Sequence, residues 1–370
     1  MPKRLPVTVI TGFLGAGKTT VLRHLLTSSG QRLAVMVNEF GSVGLDGDLI
    51  RSCGFCPDDE VDSRLVELNN GCLCCTVQDD FLPTMEKLLE RADQLDGIVV
   101  ETSGLALPRP LLQALDWPAI RTRVHVNGVV TLVDGEALAQ GSPVADVEAL
   151  ERQRAEDPSL DHLTAIEELF RDQLQAADLV LISRADRVDP AALKRVEEQL
   201  NQRVRAGTAL LPVAQGQVDS AVVLGLEHQN HSHDHHDHDH DHDHDHHDHH
   251  DHSHVEIVGS NVRVEGSFDR AALETLLTEL VQAQQVVRLK GRVWLAGKAL
   301  PLQVQMVGPR LNSWFEAAPA SAWRPDQGGG VDLVVLSLKE TASAELQASL
   351  QRLVQATPAT ANTAAATPAS

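Results

Sequence analysis

The chain has 370 residues, 42% of them hydrophobic, and a formal net charge of −21. That length accommodates two domains with separate cores, and the acidic balance argues against nucleic acid, whose phosphates require a basic surface. No apolar run approaches the ~20 residues of a membrane span, so neither nucleic acid nor membrane is an expected partner.

The start, MPKRLPVTVITGFLG, is basic, but its apolar stretch is too short for a secretory leader and runs directly into a motif, so the cytoplasm is the expected compartment. Residues 5–10, LPVTVI, predict a short strand ending at a Gly-rich turn, after which Val21, Leu22, Leu25 and Leu26 recur at helical spacing. Further apolar runs at 33–37, 98–100, 129–133 and 179–182 alternate with helical patterns, one of them carried by Ile166, Leu169, Phe170, Gln173 and Leu174. Continuous apolar strands separated by helices predict an α/β fold, a mostly parallel sheet covered on both faces.

The turn after the first strand, GFLGAGKT, fits G-x-x-x-x-G-K-[ST] in the strand–helix context that gives this pattern its meaning. Gly12, Gly15, Ala16, Gly17 and Thr20 belong to a loop whose backbone N–H groups turn inward on phosphates at a helix N-terminus. Lys18 is expected to pair with the β- and γ-phosphates, and the Thr19 hydroxyl to ligate Mg²⁺.

Between this loop and the strand that carries Glu101 lie all five cysteines of the chain. Thiols grouped in a reducing compartment point to metal or redox chemistry before structural disulfides. Cys72, Cys74 and Cys75, in C-x-C-C spacing, offer soft thiolate donors for Zn²⁺ or Co²⁺. Cys53 and Cys56 leave open a closed structural site with Cys72 and Cys74; inert buried thiols and a redox pair are the other readings.

GIVVETSG, residues 97–104, puts Glu101 at a strand end, where a carboxylate can hold Mg²⁺ or orient an attacking water. Gly104 can bring its backbone N–H to a γ-phosphate. Lys18 and Glu101 are thus the candidate catalytic groups. In LVLISRADRVD, residues 179–189, an apolar strand is followed by Ser183-Arg184-Ala185-Asp186, which resembles an N-K-x-D base-binding turn, with Ser183 and Arg184 departing from the usual Asn and Lys. Asp186 can accept both N1–H and N2–H₂ of guanine, and Arg184 can stack on the base, which favours GTP over ATP.

Residues 231–254 hold fourteen histidines and eight aspartates and no apolar residue. This composition cannot bury a core and predicts a disordered linker, either a weak multi-site metal trap or a solubilising spacer. A second, α+β unit with antiparallel strands is expected from residue 255, containing a helical run over 270–285, the strands VVRLKGRVWLAG, LPLQVQMVG and VDLVVLSLK, and a last helix over 342–354. The expected division is therefore residues 1–226, a linker 227–254, a second domain 255–356 and a low-complexity tail 357–370.

Together, TGFLGAGKTT, VNEFG, NGCLCCTV, ETSGLALP and the SRAD turn resemble the CobW-type P-loop GTPases, a metallochaperone family that includes cobalamin-biosynthesis proteins and zinc chaperones. The motifs occur in that family's order, and C-x-C-C after Asn70-Gly71 is the most diagnostic of them. The CGFCPDDEVD insert and NNGCLCCTVQDDFLPTM are most similar to the cobalamin-biosynthesis branch. The resemblance implies a P-loop GTPase domain followed by a smaller α+β C-terminal domain. It implies GTP and Mg²⁺ as cofactors and a transition metal, Co²⁺ or Zn²⁺, held by Cys72, Cys74 and Cys75 with Glu39 of VNEFG as an oxygen ligand. It also implies a metal-receiving client protein, such as a cobalt chelatase or another metalloenzyme. GTP would order segments around Gly41–Gly44 and Glu101–Gly104 that flank the cysteines, tightening the metal site until hydrolysis releases the ion. A metal buffer, a switch with a structural zinc and a phosphotransferase are the competing functions.

Overall fold

The computed structural model describes residues 4–37, 65–67, 81–156, 166–225, 257–326 and 328–356. The chain divides into two compact units.

The first unit is built on a seven-stranded sheet. Its elements in chain order are β1 (Leu5–Gly12), α1 (Lys18–Ser28), β2 (Leu33–Val37), β3 (Leu65–Glu67), α2 (Leu82–Glu90), β4 (Gly97–Glu101), α3 (Pro108–Leu115), β5 (Val124–Asp134), α4 (Gly135–Ala139), α5 (Val147–Glu156), α6 (Ile166–Ala176), β6 (Leu179–Ser183), α7 (Pro190–Asn201), β7 (Ala209–Pro212) and α8 (Ser220–Leu224). The strand order is β3-β2-β4-β1-β5-β6-β7. The pairings β1–β4, β1–β5, β2–β3, β2–β4 and β5–β6 are all parallel.

Helices cover both faces of this sheet, which is why β4 and β6 are buried along their whole length and read as unbroken apolar runs. One core gathers Val7, Val9 and Met36 from the strands with Met85, Leu89 and Leu111 from α2 and α3. The other gathers Val133, Val180 and Ile182 with Phe170, Leu174 and Val196 from α6 and α7. Where the strands end, polar residues begin. The register places Ile10 and Val37 beside Glu101, and Asp134 beside Ser183, so the C-terminal ends of five strands share one edge. In open α/β sheets that edge, at the point where connections leave in opposite directions, is where ligands bind.

The second unit consists of β8 (Val258–Glu265), α9 (Arg270–Gln284), β9 (Val286–Trp294), β10 (Leu302–Val307), β11 (Arg310–Phe315), β12 (Gly330–Ser337) and α10 (Ala342–Ala356). Its five strands run β11-β10-β9-β12-β8 in antiparallel pairs. Leu273, Leu277 and Val281 of α9 and Leu346 and Leu350 of α10 join strand residues such as Leu289 and Leu333 in a single core. The side-chain amide and carboxyl chemistry at helix starts is simple: Asp269 accepts from the Ala272 N–H at the head of α9, as Asp189 does from Ala192 at the head of α7. The fold is therefore a P-loop α/β domain with a mostly parallel sheet, followed by a smaller α+β domain.

Candidate functional site

The turn from β1 to α1 is possible only with glycine at particular points. Gly12 (φ 135°), Gly15 (φ 75°) and Gly17 (φ 96°) occupy the left-handed region, and a side chain on Gly12 would run into the Leu132 carbonyl. Ala16 is buried, and its N–H donates to Phe13 O at 3.1 Å, closing the loop. Gly17 precedes the first turn of α1, so unpaired helix N–H groups open at the strand edge. Lys18, 7% exposed, lies across this loop, its Nζ donating to Gly12 O at 3.0 Å and Phe13 O at 3.1 Å. Thr20, on the outer side, packs its methyl beside Gly216.

Thr19 Oγ1 donates to Glu101 Oε1 at 3.3 Å, joining residues 82 positions apart. Glu101 is 3% exposed, at the buried end of β4, next to β1 in the interior of the sheet. Two hard oxygens side by side fit Mg²⁺: ligands at ~2.1 Å in an octahedron bring adjacent oxygens to about 3 Å. Gly104 lies directly on the phosphate loop, where an added Cβ would sit 2.5 Å from Leu14 N. The loop between them is pinned to β1 by Thr102 N–H to Ile10 O at 2.9 Å and by Thr102 Oγ1 to Thr11 Oγ1 at 3.0 Å.

The candidate base-binding turn follows β6. Ser183 is buried, and its hydroxyl donates to Val133 O at 3.1 Å. Arg184 adopts a left-handed backbone (φ 54°), pairs through Nη1 with Asp134 Oδ2, and donates from Nη2 to Gly15 O at 3.1 Å. The guanidinium thus ties the base turn to the phosphate loop. Asp186 is exposed in the short 3-10 turn Ala185–Arg187.

Three features of this edge have no local sequence pattern. Asp134, 2% exposed at the end of β5, accepts from Ala137 N–H while holding Arg184; the strand run stops one residue short of it. Gln173, read from sequence only as part of a helical stripe, donates to the Gly104 and Ala106 carbonyls. The stretch Val213–Gly216 flanks the base turn, with Val213 N–H on Ile182 O at 2.8 Å and Ala185 N–H on Val213 O at 3.3 Å. Its left-handed Gln215 (φ 52°) next to Gly216 (φ 73°) is the one visible cue, and such conformations in non-glycine residues concentrate at functional turns.

The candidate transition-metal ligands Cys72, Cys74, Cys75 and Glu39 lie outside the described residues, as do Cys53, Cys56, Gly41–Gly44 and the His/Asp run. Among the described residues there is no group of three or more His, Cys, Asp or Glu arranged to hold a metal. Nor is any helix among them long and apolar enough to cross a membrane.

Comparison with known proteins matches residues 6–211 to the family described as CobW/HypB/UreG, nucleotide-binding domain, and residues 257–354 to the Cobalamin synthesis protein cobW C-terminal domain. The chain is 41% identical over 361 residues to a Zinc chaperone CobW of Sinorhizobium sp, covering 95% of this chain and 98% of that protein. It is 43% identical over 335 residues to a Zinc chaperone CobW of Pseudomonas aeruginosa, covering 90% and 87%. The Zinc chaperone YeiR of Escherichia coli is 32% identical over 52% of this chain and 51% of its own length.

Proposed function

The chain belongs to the CobW/HypB/UreG family and is a GTPase, and from that premise we propose that it is a zinc chaperone whose GTP cycle loads and releases the ion it carries. The observation that carries the reading is the convergence of Lys18, Thr19, Glu101 and Gly104 on one strand edge, beside the two strands that lead into the VNEFG and C-x-C-C segments. Zinc is favoured over cobalt because two relatives matched over 90% or more of this chain carry the name zinc chaperone. A thiolate site also prefers Zn²⁺ to Co²⁺ intrinsically.

In this reading Lys18 gives up its two loop carbonyls to the β- and γ-phosphates, which offer it anionic acceptors in their place. Thr19 and Glu101 would hold Mg²⁺, whose charge offsets that of the phosphates when bound. Glu101 keeps a carboxylate at the β4 terminus to orient water, and Gly104 presents backbone to the terminal phosphate. Asp186 selects guanine, and Arg184, steadied by Asp134, connects base recognition to the phosphate loop.

Cys72, Cys74 and Cys75 supply the thiolates for the cargo ion, with Glu39 as an oxygen ligand. Cys72 lies five residues beyond Glu67, the end of β3, and Glu39 two beyond Val37, the end of β2. Val37 is in register with both Glu67 and Glu101, so both segments start at the edge where the phosphates bind. The eight residues from Glu67 to Cys75 reach at most about 29 Å, which bounds how far the cysteines lie from that edge. Delivery is to a metalloprotein client in the cytoplasm, where thiols stay reduced.

The test is competition titration of Zn²⁺ and Co²⁺ against the full chain in the apo, GDP and non-hydrolysable GTP-analogue states. The expected result is one tight zinc per chain whose affinity rises severalfold with the analogue and is lost in Cys74→Ala. Equal affinity in all three states would sink the gated-chaperone reading, and undiminished binding by Cys74→Ala would remove the proposed site.

A further inference from the structure

Gln173 is 1% exposed on α6, in the buried stripe with Leu169, Phe170 and Leu174. A polar side chain in that stripe is costly unless its atoms are hydrogen-bonded. Its Nε2 donates to Gly104 O at 3.2 Å and to Ala106 O at 3.4 Å. Two carbonyl acceptors require the amide nitrogen to face them, since the oxygen cannot donate. The Oε1 atom has no hydrogen-bond partner among the described residues. An apolar residue would serve the helix as well, so the gain from an amide here goes to the loop after β4.

That loop is gripped from two sides. Gly104 backs onto the phosphate loop at Leu14, and its carbonyl is drawn toward α6. One turn earlier on the same face of α6, Phe170 stacks on Phe13 of the phosphate loop with ring centroids 5.9 Å apart. The helix position is itself fixed from the sheet, where Thr131 Oγ1 on β5 donates to the Gln173 carbonyl at 3.2 Å.

We propose that Gln173 is a positioning residue for the terminal phosphate: by holding the carbonyls of Gly104 and Ala106 it fixes the course of the backbone on the C-terminal side of Gly104, and so steadies the Gly104 N–H that meets the γ-phosphate. The control is indirect: the Gly104 carbonyl shares its plane with the Leu105 N–H, whereas the Gly104 N–H shares its plane with the Ser103 carbonyl, which accepts from the Ala106 N–H at 3.1 Å, so Gln173 acts through the Ser103–Ala106 turn. The inference rests on the GTPase reading for the identity of the phosphate, and it adds a residue in contact with neither nucleotide nor metal.

Gln173→Met keeps the volume and removes both donors. It is expected to hold GDP within about twofold of wild type while losing on the order of tenfold in GTP-analogue affinity and in kcat, the scale of two neutral hydrogen bonds. Thr131→Val disturbs the same junction without touching the amide, and should lower Tm while leaving the analogue-to-GDP affinity ratio unchanged. Should Gln173→Met fail to fold, Gln173→Asn carries the same expectation, its amide being one methylene too short to reach. A wild-type ratio and kcat in the folded variant would overturn the proposal. So would an equal shift of the ratio in Thr131→Val, which would make the effect one of packing. A wild-type chain that distinguishes the analogue from GDP yet releases no phosphate would instead overturn the GTPase reading, and the ratio would still decide the role of Gln173.

Discussion

The two sheets keep their polar side chains in different places. In the parallel sheet, β4 and β6 are apolar until their final residues, Glu101 and Ser183. In the antiparallel sheet, Arg288 and Arg292 are buried within β9, with Gln305 on β10 and Asp332 on β12. The cause is how each sheet is covered. Helices on both faces leave the parallel strands no polar side, so chemistry collects where the strands end. Helices α9 and α10 share one core with alternate strand residues, which frees the other set of side chains to be polar. Arg263, Asp332 and Arg292 are aligned across three strands in that set, and Arg263 Nε donates to Asp332 Oδ1 at 2.8 Å.

The largest expected difference comes from Lys18→Ala. Removing the one ammonium inside the phosphate loop should lower kcat/KM for GTP by at least about a hundredfold, the scale of losing a preorganised charge contact. Three of the four tryptophans, Trp294, Trp314 and Trp323, belong to the antiparallel unit. Intrinsic fluorescence therefore reports mainly that unit and should not change in this variant. A shifted emission maximum would show that the two units do not respond separately.

Next come two glycines that look alike in sequence and differ in consequence. Gly12 needs its positive φ and lies against the Leu132 carbonyl; Gly291 has ordinary strand geometry but lies against the Asp332 carbonyl across β12. Alanine at either position should cost about 2–4 kcal/mol through steric displacement, with backbone strain added at Gly12. Gly12→Ala should also lose nucleotide binding. Gly291→Ala should destabilise the fluorescence-detected transition and leave GTP turnover intact, and loss of turnover there would break the contrast.

The same contrast explains what sequence can reveal. Strands β1, β2, β4, β5 and β6 are legible because burial on both faces forces continuous apolar runs, and the phosphate loop is legible because its chemistry lies within eight consecutive residues. The three-residue β3 is too short to carry a period. Asp134 and Gln173 are silent because each works through a partner far along the chain, Arg184 in one case and Gly104 in the other, 50 and 69 positions away. The proposed metal role of the cysteines rests on their spacing alone, which needs no secondary structure to be recognised.

A smaller effect is expected from a buried acid facing arginine in each sheet, Asp134 and Asp332. Asp134→Asn removes the anionic partner of Arg184 in the candidate base turn, and should weaken GTP binding severalfold while costing about 1–2 kcal/mol in stability. Asp332→Asn removes the acid beside Arg263 and Arg292. Burial holds the Arg292 guanidinium below its usual pKa, and the charges of Asp332 and Glu316 only partly offset that. Loss of Asp332 should cost about 1–3 kcal/mol and leave nucleotide affinity unchanged. Equal losses of GTP affinity in both variants would erase the division between the two sheets.

The smallest effect separates two glutamates by the sign of their pH dependence. On α7, burial raises the pKa of Glu197, so the fold disfavours its ionised form. That penalty is fully present above its folded pKa and disappears as pH falls below the usual carboxylate range. Glu197→Gln should therefore raise Tm slightly at pH 7, with the gain fading as pH falls below the usual carboxylate range. On α9, burial pushes Glu274 upward too, but hydrogen bonds from Ser313 (2.6 Å) and Arg270 (2.9 Å), with the charge of Arg270, outweigh it and leave its pKa lowered. Its stabilisation is present above the unfolded pKa and is lost as pH falls through the lower folded value. Glu274→Gln should then lower Tm slightly at pH 7, with the deficit closing in acid. Thermal melts of both variants from pH 7 to pH 3 test the pair: the two differences from wild type should have opposite signs at neutral pH and converge toward zero together. Same-sign shifts at pH 7 would mean that hydrogen bonding at Glu274 does not overcome the burial that governs Glu197.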